Sequence, residues 1–148
     1  MTTFSTGHIG LNVTNLQRSK QFYQDVFGFE LASESTEANR TFAFLANGGQ
    51  TILTLWQQSN GRFPISTPGL HHLSFEVDHI DKVKMIENKL RELGTKLYHD
   101  GIVPHAEGAS SGGVFFEDPD GIRLEVYAPQ GADGQPAPSG DAPTCGFF

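Results

Sequence analysis

The chain opens with alternating apolar and polar positions, and the same alternation returns near its middle. In residues 8–13, His-Ile-Gly-Leu-Asn-Val, apolar side chains occupy every second position, and residues 72–77, His-Leu-Ser-Phe-Glu-Val, repeat the pattern. This period is typical of a strand that is covered on one face. In both segments the histidine is on the polar face. The pattern therefore predicts two equivalent strands, each carrying an imidazole on its uncovered side.

A helix and three further strands are predicted after the first of these segments. The helix follows Thr14 or Asn15 as its N-cap, carries apolar residues at helical spacing, and ends at Gly28, where a left-handed residue is expected. Alternation and turn residues then predict three strands. These strands are residues 29–33, 41–46 and 51–57.

The second half repeats the order of the first. Apolar positions 83, 86, 90 and 93 predict a helix that follows Asp78 or Asp81 as its N-cap and ends at Gly94. Each half therefore has the order βαβββ, which indicates an α+β fold of two tandem modules. The three later strands of this half are predicted at residues 95–100, 113–117 and 122–127.

Length and composition set limits on the kind of protein. A chain of 148 residues has the size of one domain, and two repeats of about 60 residues each are too small to bury separate cores. A net charge of −7 argues against binding to nucleic acid or to an anionic membrane surface. No run approaches the ~18 apolar residues of a membrane span, and no secretory signal pattern opens the chain. We expect a cytoplasmic protein.

We expect one domain at residues 1–129, with modules at about 5–58 and 69–128, followed by a tail, residues 130–148, rich in Pro and Gly. The tail ends in Cys-Gly-Phe-Phe, and two readings stay open: a frayed end, or an end anchored by its two Phe on this or a neighbouring subunit. Cys145 is the single cysteine, so an internal disulfide and a site built on several thiolates are excluded. Any metal is therefore expected among His and carboxylate ligands.

The same alternation gives a hypothesis about chemistry. Thr54 and Glu125 occupy corresponding positions in the closing strands of the two halves, on the face that also carries the histidines. If a pseudo-twofold axis relates the halves, His8, His72, Thr54 and Glu125 converge. Two imidazoles and one carboxylate form a common site for a divalent metal with open coordination positions.

Four motifs carry a family resemblance: Gly-His-Ile at 7–9, Asn-Leu-Gln-Arg-Ser at 15–19, His-His-Leu-Ser-Phe-Glu-Val at 71–77, and Glu-Asp-Pro-Asp-Gly-Ile-Arg-Leu-Glu at 117–125. With them, the chain from about residue 5 to 128 resembles the vicinal oxygen chelate superfamily. That group includes glyoxalase I, fosfomycin and bleomycin resistance proteins, and extradiol dioxygenases.

The resemblance implies a cupped, barrel-like mixed sheet with helices outside, around a divalent ion that binds two neighbouring oxygens of a substrate. It assigns the ligand positions to His8, His72 and Glu125, and it leaves the ion open among Fe²⁺, Mn²⁺, Zn²⁺ and Ni²⁺. It also implies a homodimer, because the family commonly pairs chains.

Departures from the family pattern narrow the activity. Where glyoxalase I has a carboxylate that serves as ligand and base, this chain has Thr54, whose neutral hydroxyl cannot abstract a proton at neutral pH. Where glyoxalase I has an Arg for the thiol peptide, this chain has Asn12. A glutathione-dependent lactoylglutathione lyase is therefore disfavoured. Extradiol enzymes have a Tyr in the strand that here reads Val-Phe-Phe at 114–116, which weakens the dioxygenase reading without excluding it.

Further candidates belong to the long connection at residues 101–112 and to the concave face. His105 and Glu107 are acid or base candidates if the connection folds over the site, although a solvated loop is the simpler reading. Aromatic residues on the same face favour an apolar or aromatic substrate, and polar residues there are candidates for orienting its polar groups. The candidate substrate-binding residues are Asn12, Thr54, Trp56, Ser74, Arg123 and Tyr127.

The sequence favours a metal-dependent dioxygenase or lyase of this type, acting on a small molecule with vicinal oxygens. The alternative is a non-catalytic drug- or metabolite-binding protein of the bleomycin resistance type. Retention of all three ligand residues counts against that alternative. A third reading is an accessory protein whose metal is structural and whose fold depends on it.

Overall fold

The computed structural model describes all 148 residues and divides them into two compact units, residues 1–62 and 63–148. Each unit contains one α-helix and four strands in the order βαβββ, as the sequence pattern predicts. The first unit consists of β1 (Ile9–Asn12), α1 (Leu16–Phe27), β2 (Glu30–Glu37), β3 (Arg40–Asn47) and β4 (Gln50–Trp56). The second consists of β5 (Leu73–Glu76), α2 (Ile80–Glu92), β6 (Leu97–Pro104), β7 (Gly112–Glu117), β8 (Arg123–Ala128) and a short 3₁₀ turn, Thr144–Gly146.

In the first unit the strand order is β1-β4-β3-β2, with β1 parallel to β4 and the other pairs antiparallel. Helix α1 begins where the Asn15 side chain accepts a hydrogen bond from the Arg18 N–H. It ends at Gly28, whose φ of 71° is left-handed and costs little only for glycine. The fully buried Tyr23 packs on the core side of the helix.

The second unit has the same topology, with strand order β5-β8-β7-β6 and a parallel β5–β8 pair. The predicted α+β fold of two βαβββ modules is therefore confirmed. The prediction that Asp78 or Asp81 caps α2 is wrong. His79 is the N-cap, because its extended backbone lets Nδ1 accept a hydrogen bond from the Asp81 N–H at 3.1 Å.

Strand β6 is longer than its predicted span of residues 95–100, and the connection that follows is correspondingly shorter. His99 and Asp100 have φ values of 60° and 56°, and the pairing with β7 shifts register between Tyr98 and Val103. Such a bulge absorbs extra residues and lets pairing resume on its far side. The strand therefore continues to Pro104, and the connection to β7 spans only residues 105–111.

The tail, residues 130–148, packs on the second unit. Ala132 is buried and its N–H bonds to the Ser110 carbonyl, while Thr144 is fully buried. Of the two terminal phenylalanines, Phe148 contacts other aromatic rings and Phe147 is 62% exposed. Neither helix of the chain has the length and apolar content that crossing a membrane requires.

Candidate metal centre

Glu125 lies on β8, one of the two inner strands of the second sheet. It lies opposite Ser74 on β5 and Phe115 on β7, and residues that pair in this way project on the same face. Its side chain is nearly buried, with 2% exposure for the residue. A buried carboxylate is stable only with partners that satisfy its charge, so its surroundings determine its role.

His72 is one partner of this carboxylate. It immediately precedes β5, and its Nε2 lies 3.6 Å from Glu125 Oε2. Burial lowers the pKa of His72 below its usual value, an effect that the Glu125 charge partly opposes. The lowered pKa favours the neutral imidazole, which is the form that coordinates metals.

Cys145 completes a cluster with these two residues. One potential ligand atom from each of His72, Glu125 and Cys145 lies within 4.8 Å of the others. Burial, and secondly the Glu125 charge, raises the pKa of the Cys145 thiol. Nitrogen, oxygen and sulfur donors at such distances suit a divalent transition metal, so the residues present fit the ion that the sequence implies. Cys145 is thus a further potential ligand beside the His and carboxylate groups expected from the sequence.

His105 is a second partner of the carboxylate. Its Nε2 lies 2.5 Å from Glu125 Oε1, and its Nδ1 lies 2.9 Å from the Ser111 hydroxyl oxygen. The imidazole is therefore held at both nitrogens and fixes one carboxylate oxygen. The structure thus places this sequence-predicted candidate beside the cluster.

Glu107, the other candidate on this connection, has a different environment. Its side chain is exposed, and Oε2 accepts a hydrogen bond from the Ala137 N–H at 3.0 Å. The Glu107 N–H donates to the Gly140 carbonyl. These contacts tie Glu107 to the tail, and it is not among the residues of the cluster.

Three predicted substrate-binding residues lie on the same face of the second sheet. Arg123 donates from Nε to the His71 carbonyl at 3.0 Å and from Nη1 to the Phe148 carbonyl at 2.5 Å. The Tyr127 hydroxyl donates to Glu76 Oε2 at 2.6 Å, and this bond raises the pKa of Tyr127 to about 12. Ser74 is exposed.

Aromatic side chains surround the cluster. The Phe148 ring lies 4.8 Å from Phe115, 5.2 Å from Tyr98 and 5.5 Å from His72, measured between ring centroids. The Arg123 guanidinium lies 5.6 Å from the same ring. This part of the second unit therefore accommodates an aromatic ring next to a cation.

The first unit carries the equivalent positions. His8 precedes β1 as His72 precedes β5, and its side chain is exposed. Thr54 is 1% exposed and lies opposite Gly10, where a Cβ would be 3.3 Å from its Oγ1. Thr54 Oγ1 accepts a hydrogen bond from Trp56 Nε1 at 3.0 Å, and Asn12 Oδ1 accepts one from the Gln58 N–H.

Rings also cluster in the first unit. Phe42, Phe44 and Trp56 have centroid separations of 5.3 to 5.8 Å. They lie on neighbouring strands, since Phe42 pairs with Trp56. The candidate aromatic surface of this unit is thus formed by β3 and β4.

Sequence reasoning missed Cys145 as a member of the cluster. The tail has no hydrophobic period that would specify its path, so its position depends on single contacts such as the buried Thr144. The one signal in the sequence was the Cys-Gly-Phe-Phe end after a stretch of small and polar residues.

The model of the Glyoxalase/Bleomycin resistance protein/Dioxygenase superfamily matches residues 5–126. The uncharacterized protein YaeR of Escherichia coli K12 is 34% identical over 128 residues, which cover 81% of this chain and 92% of YaeR. A lactoylglutathione lyase of Neisseria meningitidis serogroup A is 29% identical over 132 residues, covering 85% of this chain and 91% of the lyase.

A solved structure shares the fold. A mutant of the genomically encoded fosfomycin resistance protein FosX from Listeria monocytogenes, complexed with Mn(II) and 1S,2S-dihydroxypropylphosphonic acid, superimposes with a TM-score of 0.67. It is 19% identical in sequence, and the match covers 86% of this chain and 93% of FosX.

Proposed function

We propose that this chain, which belongs to the Glyoxalase/Bleomycin resistance protein/Dioxygenase superfamily, is a metal-dependent enzyme. Its substrate is a small, apolar or aromatic molecule with two neighbouring oxygens. The ligands that we propose are His72 and Glu125 of the second unit and His8, which holds the equivalent position in the first unit. Residues 1–129 form one domain in this proposal, and the protein is a cytoplasmic homodimer.

The pairing of His72 with Glu125 is the observation that carries the proposal. An imidazole and a nearly buried carboxylate approach to 3.6 Å on one sheet face, although 53 positions separate them in the chain (125 − 72). A core histidine without a metal role is ordinarily satisfied by backbone groups. Here His72 Nε2 lies near a carboxylate oxygen, and Cys145 adds a third potential ligand to the pair.

His105 contributes as a positioning residue. It binds Glu125 Oε1 and leaves Oε2 on the side of His72. Outer partners of this kind fix the orientation of metal-binding carboxylates, and their loss typically weakens metal binding about 10- to 100-fold. A divalent ion bound here supplies Lewis-acid stabilisation of negative charge on the oxygens of a substrate.

The substrate class follows from the surroundings of the cluster. The Phe148 ring contacts His72, Tyr98 and Phe115, so aromatic side chains lie beside the cluster. Arg123 lies at the edge and donates to a carbonyl oxygen. An aromatic or apolar body with an oxygen-bearing end is therefore the chemistry that this face favours.

A dioxygenase or lyase reaction is preferred to glutathione-dependent isomerisation. Thr54 is a buried neutral hydroxyl whose oxygen accepts a hydrogen bond from Trp56, so it offers no base. The relative from N. meningitidis bears the name lactoylglutathione lyase, which makes lactoylglutathione a necessary comparison substrate.

The test is a substrate screen on protein loaded with each of Fe²⁺, Mn²⁺, Zn²⁺ and Ni²⁺. Catechols, diketones and enols are supplied with and without oxygen, and oxygen uptake and substrate loss are followed. We expect turnover of one class. Glu125→Gln should reduce it more than about 100-fold, because even outer partners cost about 10- to 100-fold in such sites.

Glu37→Gln is the matched control, since Glu37 is an exposed carboxylate on β2; it should leave turnover unchanged. Two outcomes count against an enzyme. The first is tight binding of an aromatic compound that needs no metal and survives Glu125→Gln, which favours the drug-binding alternative. The second is unfolding on chelation without any turnover, which favours a structural metal.

A further inference from the structure

The tail brings a third kind of donor to the cluster. The Cys145 sulfur lies within 4.8 Å of the ligand atoms of His72 and Glu125. Because His105 occupies Glu125 Oε1, the other oxygen, Oε2, is the one that lies near His72. Imidazole nitrogen, carboxylate oxygen and sulfur are thus grouped in one small volume.

The position of Cys145 is fixed on its N-terminal side by buried contacts. Thr144 is fully buried, its N–H donates to the His105 carbonyl at 2.7 Å, and its hydroxyl donates to the Pro104 carbonyl at 2.7 Å. Cys145 is the middle residue of the 3₁₀ turn Thr144–Gly146. A merely solvated tail would show neither the burial nor these bonds.

A second set of contacts fixes the C-terminal side. The Phe148 carbonyl accepts a hydrogen bond from Arg123, and its ring packs on Phe115 and His72. The side chain of Phe147, the residue before Phe148, is exposed and is not among these contacts. Cys145 is therefore held from both sides by groups that belong to β6, β7, β8, the connection after β6 and the residue before β5.

We propose that Cys145 is a thiolate ligand of the metal bound at His72 and Glu125, so that the tail contributes directly to the metal site. This inference rests on the proposed metal site of the previous section. On binding, the S–H bond breaks, a sulfur–metal bond forms, and the proton passes to solvent. A sulfur donor favours Zn²⁺, Co²⁺ and Ni²⁺ over Mn²⁺ and Mg²⁺, which prefer oxygen.

The experiment is a titration of the metal-free full chain with Co²⁺, followed by absorbance. A sulfur–Co²⁺ bond gives an intense charge-transfer band in the near ultraviolet that nitrogen and oxygen ligands do not give. Since Cys145 is the single cysteine, a band that saturates at about one Co²⁺ per chain identifies this thiolate without any variant. Reaction with a thiol reagent should slow when Co²⁺ is present.

Variants separate the ligand role from a structural one. Cys145→Ser should still bind Co²⁺ at the same stoichiometry, more weakly and without the band, and Cys145→Ala serves if the serine variant does not fold. Phe147→Ala, a change in the same tail at an exposed side chain, should keep the band. His72→Ala should lose stoichiometric binding.

Two different failures are distinguishable. If the wild-type chain binds one Co²⁺ without the band, and Cys145→Ser binds it with unchanged affinity, Cys145 is not a ligand while the proposed metal site survives. If the wild-type chain binds no Co²⁺, the proposed function fails together with this inference.

Discussion

Substitution of Gly113 by Ala tests how closely the central strands of the second unit approach each other. Gly113 on β7 pairs with Tyr127 on β8, and a Cβ added to it would lie 2.0 Å from the Val126 carbonyl oxygen and 2.6 Å from Tyr127 Cα. Ordinary carbon–oxygen contacts are about 3.3 to 3.6 Å, so the backbones must separate by roughly 1.3 Å. Both obstructing atoms are backbone, which no rotamer change relieves.

Overpacking of this kind typically costs about 1 to 3 kcal/mol and occasionally more. Because the obstructing atoms are backbone and cannot move aside alone, we expect Gly113→Ala to lower the free energy of unfolding by about 3 kcal/mol, the upper end of that range. The assay is urea denaturation followed by circular dichroism. Gly61→Ala is the control, because a Cβ at Gly61 meets nothing within 4 Å; it should change the free energy by less than about 0.5 kcal/mol. A Gly113→Ala protein as stable as the Gly61→Ala protein would refute the close approach of β7 and β8.

Three further predictions concern single groups of the second unit. Burial lowers the pKa of His99, so the folded state disfavours the protonated imidazole and stability should be lost as pH falls below about 6.5. The variant His99→Asn, whose side chain suits the positive φ, should lose less stability between pH 7.5 and 5 in urea titrations. Equal losses would contradict this. Thr144→Val removes the buried bond to the Pro104 carbonyl and should cost about 1 to 2 kcal/mol, whereas an unchanged urea midpoint would mean that the tail is not anchored there. The buried Asp118 accepts hydrogen bonds from two N–H groups of the turn before β8 at 2.8 and 2.9 Å. Asp118→Ala should lower the free energy of unfolding by about 2 kcal/mol, measured by thermal or urea unfolding, and Asp118→Asn should lower it less. Equal losses would argue against these bonds.

The fold was predictable because both halves of the chain show the local hydrophobic patterns of their strands and helices. Alternation located the strands that carry Leu53 and Leu124, which are fully buried, and helical spacing located α1 and α2. Features governed by individual geometry were not predictable in the same way. The bulge at His99 needs two non-glycine residues at positive φ, and no hydrophobic periodicity predicts such residues. The N-cap of α2 is His79, a residue type that seldom serves as an N-cap.

In the candidate site, too, the residues next to or within regular strands were predictable and those in the tail were not. The correspondence of the closing strands indicated Glu125, and the opening strands indicated His72; the structure places both on one face at 3.6 Å. Cys145 and the aromatic contacts of Phe148 depend on the path of a tail without regular structure, so only the folded chain reveals them. The contribution of His8 stays a prediction from the repeat.

The most direct test of the account is the metal content of the purified chain after exposure to Zn²⁺ and dialysis, measured by elemental analysis beside the Glu125→Ala variant. We predict about one ion per wild-type chain and little in the variant, because Glu125 is the buried carboxylate between His72 and His105. A wild-type chain that retains no metal, or a variant that retains as much as the wild type, would contradict the proposed metal centre.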